Sequence, residues 1–198
     1  MSDATKKLER ADLWSLEQYA TERAAFRDQV MAHKKTRRVP LGPNATLYFE
    51  DHLTMKYQVQ ETLRVEKIFD PKEIEHEIET YNPLIPDGQN WKATFMIEYP
   101  DVEERRKALA RLIGVEDTVW VQVEGCDKVH PIANEDLERA NEDKTSSVHF
   151  MRFELDENMI ARLRDGAGLA MGIDHPEMTV KVDPVSEPVR KSLVADVS

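Results

Sequence analysis

Residues 47–69 read LYFEDHLTMKYQVQETLRVEKIF. A short strand, Leu47–Phe49, meets the acidic pair Glu50 and Asp51, and a run from His52 to Phe69 follows with no Gly or Pro. An unbroken run of that length predicts a helix that starts directly from the strand. At roughly 100° per residue, Lys56, Gln60, Arg64 and Lys67 share one sector, which predicts a water-facing stripe. Leu53, Met55, Tyr57, Val59, Leu63, Val65, Ile68 and Phe69 fill most of the remaining circumference. A helix of this kind is buried over most of its surface. Gln58, Glu61 and Glu66 nevertheless fall inside its apolar sectors. A carboxylate in such a place needs a partner. The partner is either a cation, such as Arg64 three residues after Glu61, or a bound metal or proton.

The flanking chain extends this into an α+β pattern. Residues 1–11 are polar and charged and are expected to form a flexible N-terminus, with a single α+β domain over 12–198. Asp12 reads as a helix N-cap before Leu13, Trp14, Leu16 and Tyr19, and a second helix is expected from Thr21 to about Lys35. Val39–Asn44 is rich in turn formers and predicts a hairpin, Arg37–Leu41 against Ala45–Glu50. Asp70-Pro71 begins a helix as N-cap and N1 proline. Strands are expected at Lys92–Tyr99, Thr118–Glu124, Ser146–Leu155, Ala167–Ile173 and Met178–Val182. Glu124–Asp127 is expected to turn Thr118–Glu124 back into a partner strand at Lys128–Ala133. Short helices after Asp101, Asp156 and Ser186 complete an arrangement of N-terminal helices and a hairpin packed on a mostly antiparallel sheet.

The net charge of −11 at pH 7 argues against general nucleic-acid binding. No apolar run approaches the length of a membrane span, and the N-terminus lacks a secretory apolar core. Cys126 is the sole cysteine, which excludes an internal disulfide and a self-contained iron–sulfur cluster and suits the cytoplasm. Only 7 glycines occur, and no phosphate-cradling glycine loop, nucleophile elbow or H-E-x-x-H motif is present.

Chemistry-bearing side chains therefore have to be sought singly. Glu61, Glu66, His149 and His175 are carboxylates and imidazoles of the type that holds a divalent metal such as iron. Each also has a plain structural reading: His149 as a core histidine on an apolar strand face, His175 as part of the Asp174-His175-Pro176 turn. His33, Lys34, Lys35, Arg37 and Arg38 form the densest positive patch in an acidic chain. They read either as a solvated helix end or as a docking site for an anion or an acidic partner. Asn82, Asp87 and Asn90 lie in a proline-stiffened loop, NPLIPDGQN, which either carries function or connects elements.

Several segments together resemble an uncharacterised bacterial family. They are Ala32-His33-Lys34-Lys35, Phe49-Glu50-Asp51, Tyr57–Glu61, Tyr81–Gly88, Lys144-Thr145-Ser146, His149-Phe150 and Gly172–Pro176, within a span of roughly Asp12 to Val182. The family carries a domain-of-unknown-function label. Its members are often encoded beside a rubrerythrin-like di-iron protein and an iron–sulfur oxidoreductase. The resemblance implies an accessory role in a redox or peroxide-stress system, with the basic patch docking an oxidoreductase. The alternative is a metal-dependent enzyme or metal-binding protein using Glu and His ligands. A homodimeric scaffold is the third reading.

Overall fold

The computed structural model describes residues 3–141 and 143–197. Among the described residues six α-helices and eight strands follow one another as α1 (Leu16–Lys34), β1 (Arg38–Pro40), β2 (Ala45–Glu50), α2 (His52–Glu66), α3 (Pro71–Tyr81), β3 (Asn90–Ile97), α4 (Val102–Arg111), β4 (Val119–Val123), β5 (Ile132–Ala133), β6 (Val148–Glu154), α5 (Glu157–Arg164), β7 (Leu169–His175), β8 (Met178–Val182) and α6 (Glu187–Val194). The α+β class holds, with two antiparallel sheets. One has the order β1-β2-β3-β6-β5 and the other β4-β7-β8.

The alternation of the strands explains why the sheets pack face to face. Leu47, Phe95 and His149 lie side by side across β2, β3 and β6, as do Phe49, Ala93 and Met151, while Trp91 pairs with Phe153. All are buried. They share one core with Val119, Val121 and Val123 of β4 and Leu169, Met171 and Ile173 of β7. The same core takes in Ala108 and Leu109 of α4, Ile160 and Leu163 of α5 and Val189 and Leu193 of α6. The Trp91 indole N–H donates to the Leu193 carbonyl at 2.9 Å, tying α6 to β3. A second core joins α2 and α3 to Leu8, Leu13 and Ile85, and a third lies along α1 around Tyr19, Phe26 and Val30.

The strand-to-helix junction at 47–69 forms as its sequence predicts. Asp51 is the N-cap of α2: its carboxylate accepts from Thr54 N, and the Thr54 hydroxyl accepts from Asp51 N. The helix is shorter than the apolar run. Lys67 adopts a left-handed conformation at φ 55°, and Phe69 beyond it is 79% exposed. The wheel also misplaces Gln60, which is fully buried rather than water-facing. Its Oε1 accepts from Trp14 N at 2.7 Å, because the segment before α1 lies along that side of α2. Lys56 sits there too, 4.1 Å from the Trp14 ring centroid.

That covering segment corrects the expected loose N-terminus. Leu8 and Leu13 are buried, and the Asn82 amide brackets the Leu8 backbone, accepting from its N–H and donating to its carbonyl. The two expected N-terminal helices are one, α1, capped by Ser15 with Gln18 in a capping box. Asp12 instead accepts from Lys6 and Glu9 N in a turn. The hairpin expected from β4 into 128–133 is reduced to a single bridge, Val121 to Val129. Beyond it the chain leaves for the other sheet, where Ile132 and Ala133 pair with β6, and β4 takes β7 as its partner.

Gly172 marks a close approach in the smaller sheet. It faces Trp120 across the ladder, and an added Cβ would lie 2.4 Å from Trp120 Cζ2 and 2.4 Å from the Val180 carbonyl oxygen. A backbone oxygen and a buried indole have little room to move, so overpacking there costs on the order of 1–3 kcal/mol. Gly172→Ala is therefore expected to lower the urea midpoint clearly. Gly168→Ala, whose Cβ would meet only the Glu124 side chain at 3.2 Å and beyond, is expected to change it far less.

Candidate functional site

The outer face of the larger sheet is the place where polar side chains are held against a cavity. Three rows cross it: Thr46, Met96 and Val148; Tyr48, Thr94 and Phe150; Glu50, Lys92 and Arg152. Cross-strand partners in a row share a face and lie about 5 Å apart. On a bare sheet such a face would meet solvent. Here α2, α3 and the turn after α3 stand over it and leave a cleft of about 350 Å³. Tyr48, Glu50, Thr94, Met96 and Phe150 form its floor, and Met55, Gln58, Tyr81 and Leu84 stand among its walls.

Glu50 is the charged group at the base, 9% exposed. Thr54 Oγ1 donates to its Oε2 at 2.6 Å, and Thr94 Oγ1 donates to its Oε1 at 2.8 Å. A carboxylate offers about four lone-pair sites, so two stay available to a ligand. Behind Glu50 lies a buried ionic cluster around Arg37, which is 2% exposed. Its Nε donates to the Phe49 carbonyl at 3.0 Å and one Nη donates to the Glu50 carbonyl at 3.1 Å. Asp196, in the turn after α6, takes the guanidinium in a fork at 3.0 and 2.6 Å. Ser192 Oγ accepts the remaining N–H at 3.3 Å. Asp51 Oδ2 is 3.4 Å from Arg37 Nε and 2.6 Å from His33 Nε2, which donates to it.

The electrostatics follow from this arrangement. Burial raises the proton affinity of Asp51, but the His33 hydrogen bond, the Arg37 charge and the Thr54 N–H outweigh it and hold the carboxyl below its ordinary range. Asp196 moves the other way, because burial outweighs Arg37 and Asp51 adds repulsion. The forked contact at 2.6–3.0 Å is that of an ionised pair, so Asp196 is a carboxylate whose charge depends on Arg37. Asp51 and Asp196 lie behind the lining and face the Arg37 guanidinium. Lys34 also lines the cleft, with its ammonium 5.5 Å from the Tyr57 ring centroid. Of the charged groups that line the cleft, Arg37 and Lys34 are cations and Glu50 is the carboxylate. Every Arg37 N–H is already taken, so Glu50 is the charged group at the base with acceptor sites to spare.

The residues singled out in the sequence fall in separate places. Glu61 is closed from three sides: Arg23 Nε at 2.7 Å, Arg64 at 3.0 Å and the Tyr19 hydroxyl at 2.8 Å. The Arg23 bond leads in pulling its carboxyl down to about 2. Glu66 is exposed at the end of α2. His149 lies in the inter-sheet core, its ring between Asn134, Thr145 Oγ1 and the Ser146 carbonyl, and burial lowers its proton affinity. His175 donates from Nε2 to the Ile113 carbonyl and accepts Glu177 N–H at Nδ1, closing the β7–β8 hairpin. These four do not form one site. Among the described residues no three His, Cys, Asp or Glu side chains are grouped to hold a metal ion.

The basic patch is also divided. Arg37 is inside and His33 is bound to Asp51, which leaves Lys34, Lys35 and Arg38 toward solvent. Asn82 clamps Leu8. Asn90 and Asp87 close their own turn through Asp87 N to Asn90 Oδ1 and Gln89 N to Asp87 Oδ1. Asp174 pairs with Lys128 at 2.7 Å. Sequence reasoning passed over Tyr48, Lys92 and Thr94. The signal for Lys92 and Thr94 was the alternation of 90–97, which puts Lys92, Thr94 and Met96 on one face, and that for Tyr48 the alternation of 45–50, which puts Thr46, Tyr48 and Glu50 on one face.

The chain matches the family described as "Protein of unknown function (DUF3501)" over residues 7–197. It belongs to that family. A crystal structure of a novel protein of unknown function from Burkholderia pseudomallei K96243 is 46% identical and has a TM-score of 0.93. The match covers 98% of this chain and 100% of that one. No curated protein matches. No helix among the described residues is long and apolar enough to cross a membrane.

Two outcomes test this geometry. Arg37→Met leaves Asp196 and Asp51 buried without their cation, a loss of roughly 3–5 kcal/mol. Urea unfolding should show it, and adding Asp196→Asn should recover part of the loss. Glu61 has a folded pKa of about 2 against an ordinary 4.5. Its stabilising contribution is therefore complete above pH 4.5 and fades as pH falls toward 2. Glu61→Gln should make the urea midpoint less dependent on pH across that window.

Proposed function

We propose that this protein binds a small organic cation in the cleft over the outer face of the larger sheet. The observation that carries the reading is Glu50, a buried carboxylate with free lone pairs at the base of a cavity of about 350 Å³. The aromatic and apolar part of the lining suits the same ligand, and the Arg37 guanidinium beside it is neutralised by the Asp196 fork. Tyr48, Tyr81 and Phe150 offer aromatic faces, which attract an ammonium, and Met55, Met96 and Leu84 cover an apolar body. Thr54 and Thr94 hold the carboxylate in place before the ligand arrives, so little ordering is needed on binding.

The same groups could also move a proton, since a fixed carboxylate beside a bound amine or alcohol can serve as its base. Binding is the smaller claim and comes first. The redox or peroxide-stress setting implied by the family resemblance is retained as the context of this proposal. An oxidoreductase docking on this side would meet Lys34, Lys35 and Arg38, beside the cleft mouth rather than over a redox centre.

Calorimetry with benzylamine and benzoate checks the sign of the site. Benzylamine should bind and benzoate should not. Glu50→Gln, which keeps the shape and removes the charge, should weaken benzylamine at least about tenfold, the worth of a charge-assisted hydrogen bond. Equal binding of both ligands, or no effect of Glu50→Gln, would count against the proposal.

A further inference from the structure

Phe150 and Leu84 bound the cation cleft on one side. Both residues also line a second cavity of about 320 Å³, which extends along the sheet past Pro83 and Ile85 to Lys7, Lys92 and Arg152. The two cavities are therefore neighbours across one shared wall. Lys92 lies directly opposite Glu50 in the ladder between β2 and β3. Strands are about 4.8 Å apart, so this carboxylate and this amine rise side by side from the floor. Glu50 turns to Thr54 and Thr94, whereas Lys92 lines the second cavity, and among the described residues Lys92 has no hydrogen-bond or ion-pair partner for its ammonium.

Most of the charges around Lys92 are already assigned to one another. Arg152 is held by Glu135 at 2.7 Å and by Glu154. Asp136 is paired with Arg139. Asp87 accepts a backbone N–H in its turn, lines the same lobe, and its charge favours the charged forms of both Lys92 and Lys7 without an ion pair to either. Lys7 donates to the Asn82 and Ile85 carbonyls at 3.0 and 2.6 Å and has a third N–H left. Lys92 and Lys7 are the two cations in this lobe without a carboxylate of their own. Burial and the Arg152 charge make Lys92 costly to keep charged in the free protein, a cost that a bound anion would relieve.

We propose that the two lobes together take a small zwitterion, its ammonium at Glu50 and its carboxylate at Lys92 and Lys7, with its apolar body against Phe150 and Leu84. This rests on the cation reading of the Glu50 lobe and names the ligand class for it: an amino acid or a short amino-carboxylate. The side-by-side origin of Glu50 and Lys92 favours ligands whose two charges are a few bonds apart.

The full-length protein is titrated by calorimetry with two matched sets. One is phenethylamine, 3-phenylpropionate and phenylalanine; the other is benzylamine, benzoate and 4-(aminomethyl)benzoate. At least one zwitterion is expected to bind tenfold or more tightly than its amine-only analogue, with the acid-only analogues weakest. Lys92→Met should bring that zwitterion down to the level of the amine while amine binding is kept or strengthened, because a neighbouring cation is gone, and retained amine binding also shows that the variant folds. If amines bind and neither zwitterion gains over them, or if Lys92→Met lowers both equally, the zwitterion proposal is overturned and the cation site stands. If no amine binds, the cation reading fails and this inference fails with it.

Discussion

One buried guanidinium holds the two halves of the fold together. Arg37 lies in the turn between α1 and β1 and is almost without solvent contact. Every one of its N–H groups finds an acceptor: the Phe49 and Glu50 carbonyls of β2, Asp196 twice, and Ser192 of α6. A guanidinium can be buried on such terms and on few others, because removing it from water is repaid only when geometry and charge are both satisfied. The helical layer, the larger sheet and the C-terminal helix are thereby fixed relative to one another. Asp51 adds a second duty to the cluster, since the carboxylate that caps α2 also receives His33 and faces Arg37.

The consequence for chemistry is positional. The cluster anchors the end of β2, and Glu50 is the last residue of that strand. Its carboxylate therefore stands at a set depth under α2 and is steadied by Thr54 from the helix and Thr94 from the neighbouring strand. Were the helices absent, Tyr48, Glu50, Lys92 and Thr94 would be ordinary residues on the wet face of an antiparallel sheet. Roofing that face with α2 and α3 lowers the local dielectric and turns an alternation pattern into a lined cavity. Charges in such a place interact more strongly with a ligand than the same charges in open water.

How much of this was legible differs by element. The junction at 47–69, the hairpin of β1 and β2, the proline-capped α3 and the strands β3, β4, β6 and β7 follow from local pattern and are found where the pattern puts them. Gln60 and the N-terminal segment did not read correctly, because a helical wheel ranks residues by type and cannot know that Trp14 will cover them. The partner of β4 was likewise misjudged: a Gly-containing turn suggests a hairpin, yet the larger gain in burial came from pairing with β7. Arg37 looked like one of five surface cations, and nothing within five residues of it announces Asp196, which lies 159 positions away. Glu61 was rightly seen as needing a partner, and Arg23 and Tyr19 as well as Arg64 supply it.

By itself the sequence determined the class of fold, most strand and helix positions, and membership of a family without an assigned activity. These are properties of periodicity, capping and turn chemistry, all set within a few residues of chain. The tertiary structure alone decided which charges are buried together and which meet a cavity. Glu50 and Lys92 are 42 positions apart, and only the register of β2 on β3 sets them side by side. Whether a carboxylate becomes a surface charge, an ion pair or the base of a cleft depends on what packs above it, and that is settled by contacts between distant segments.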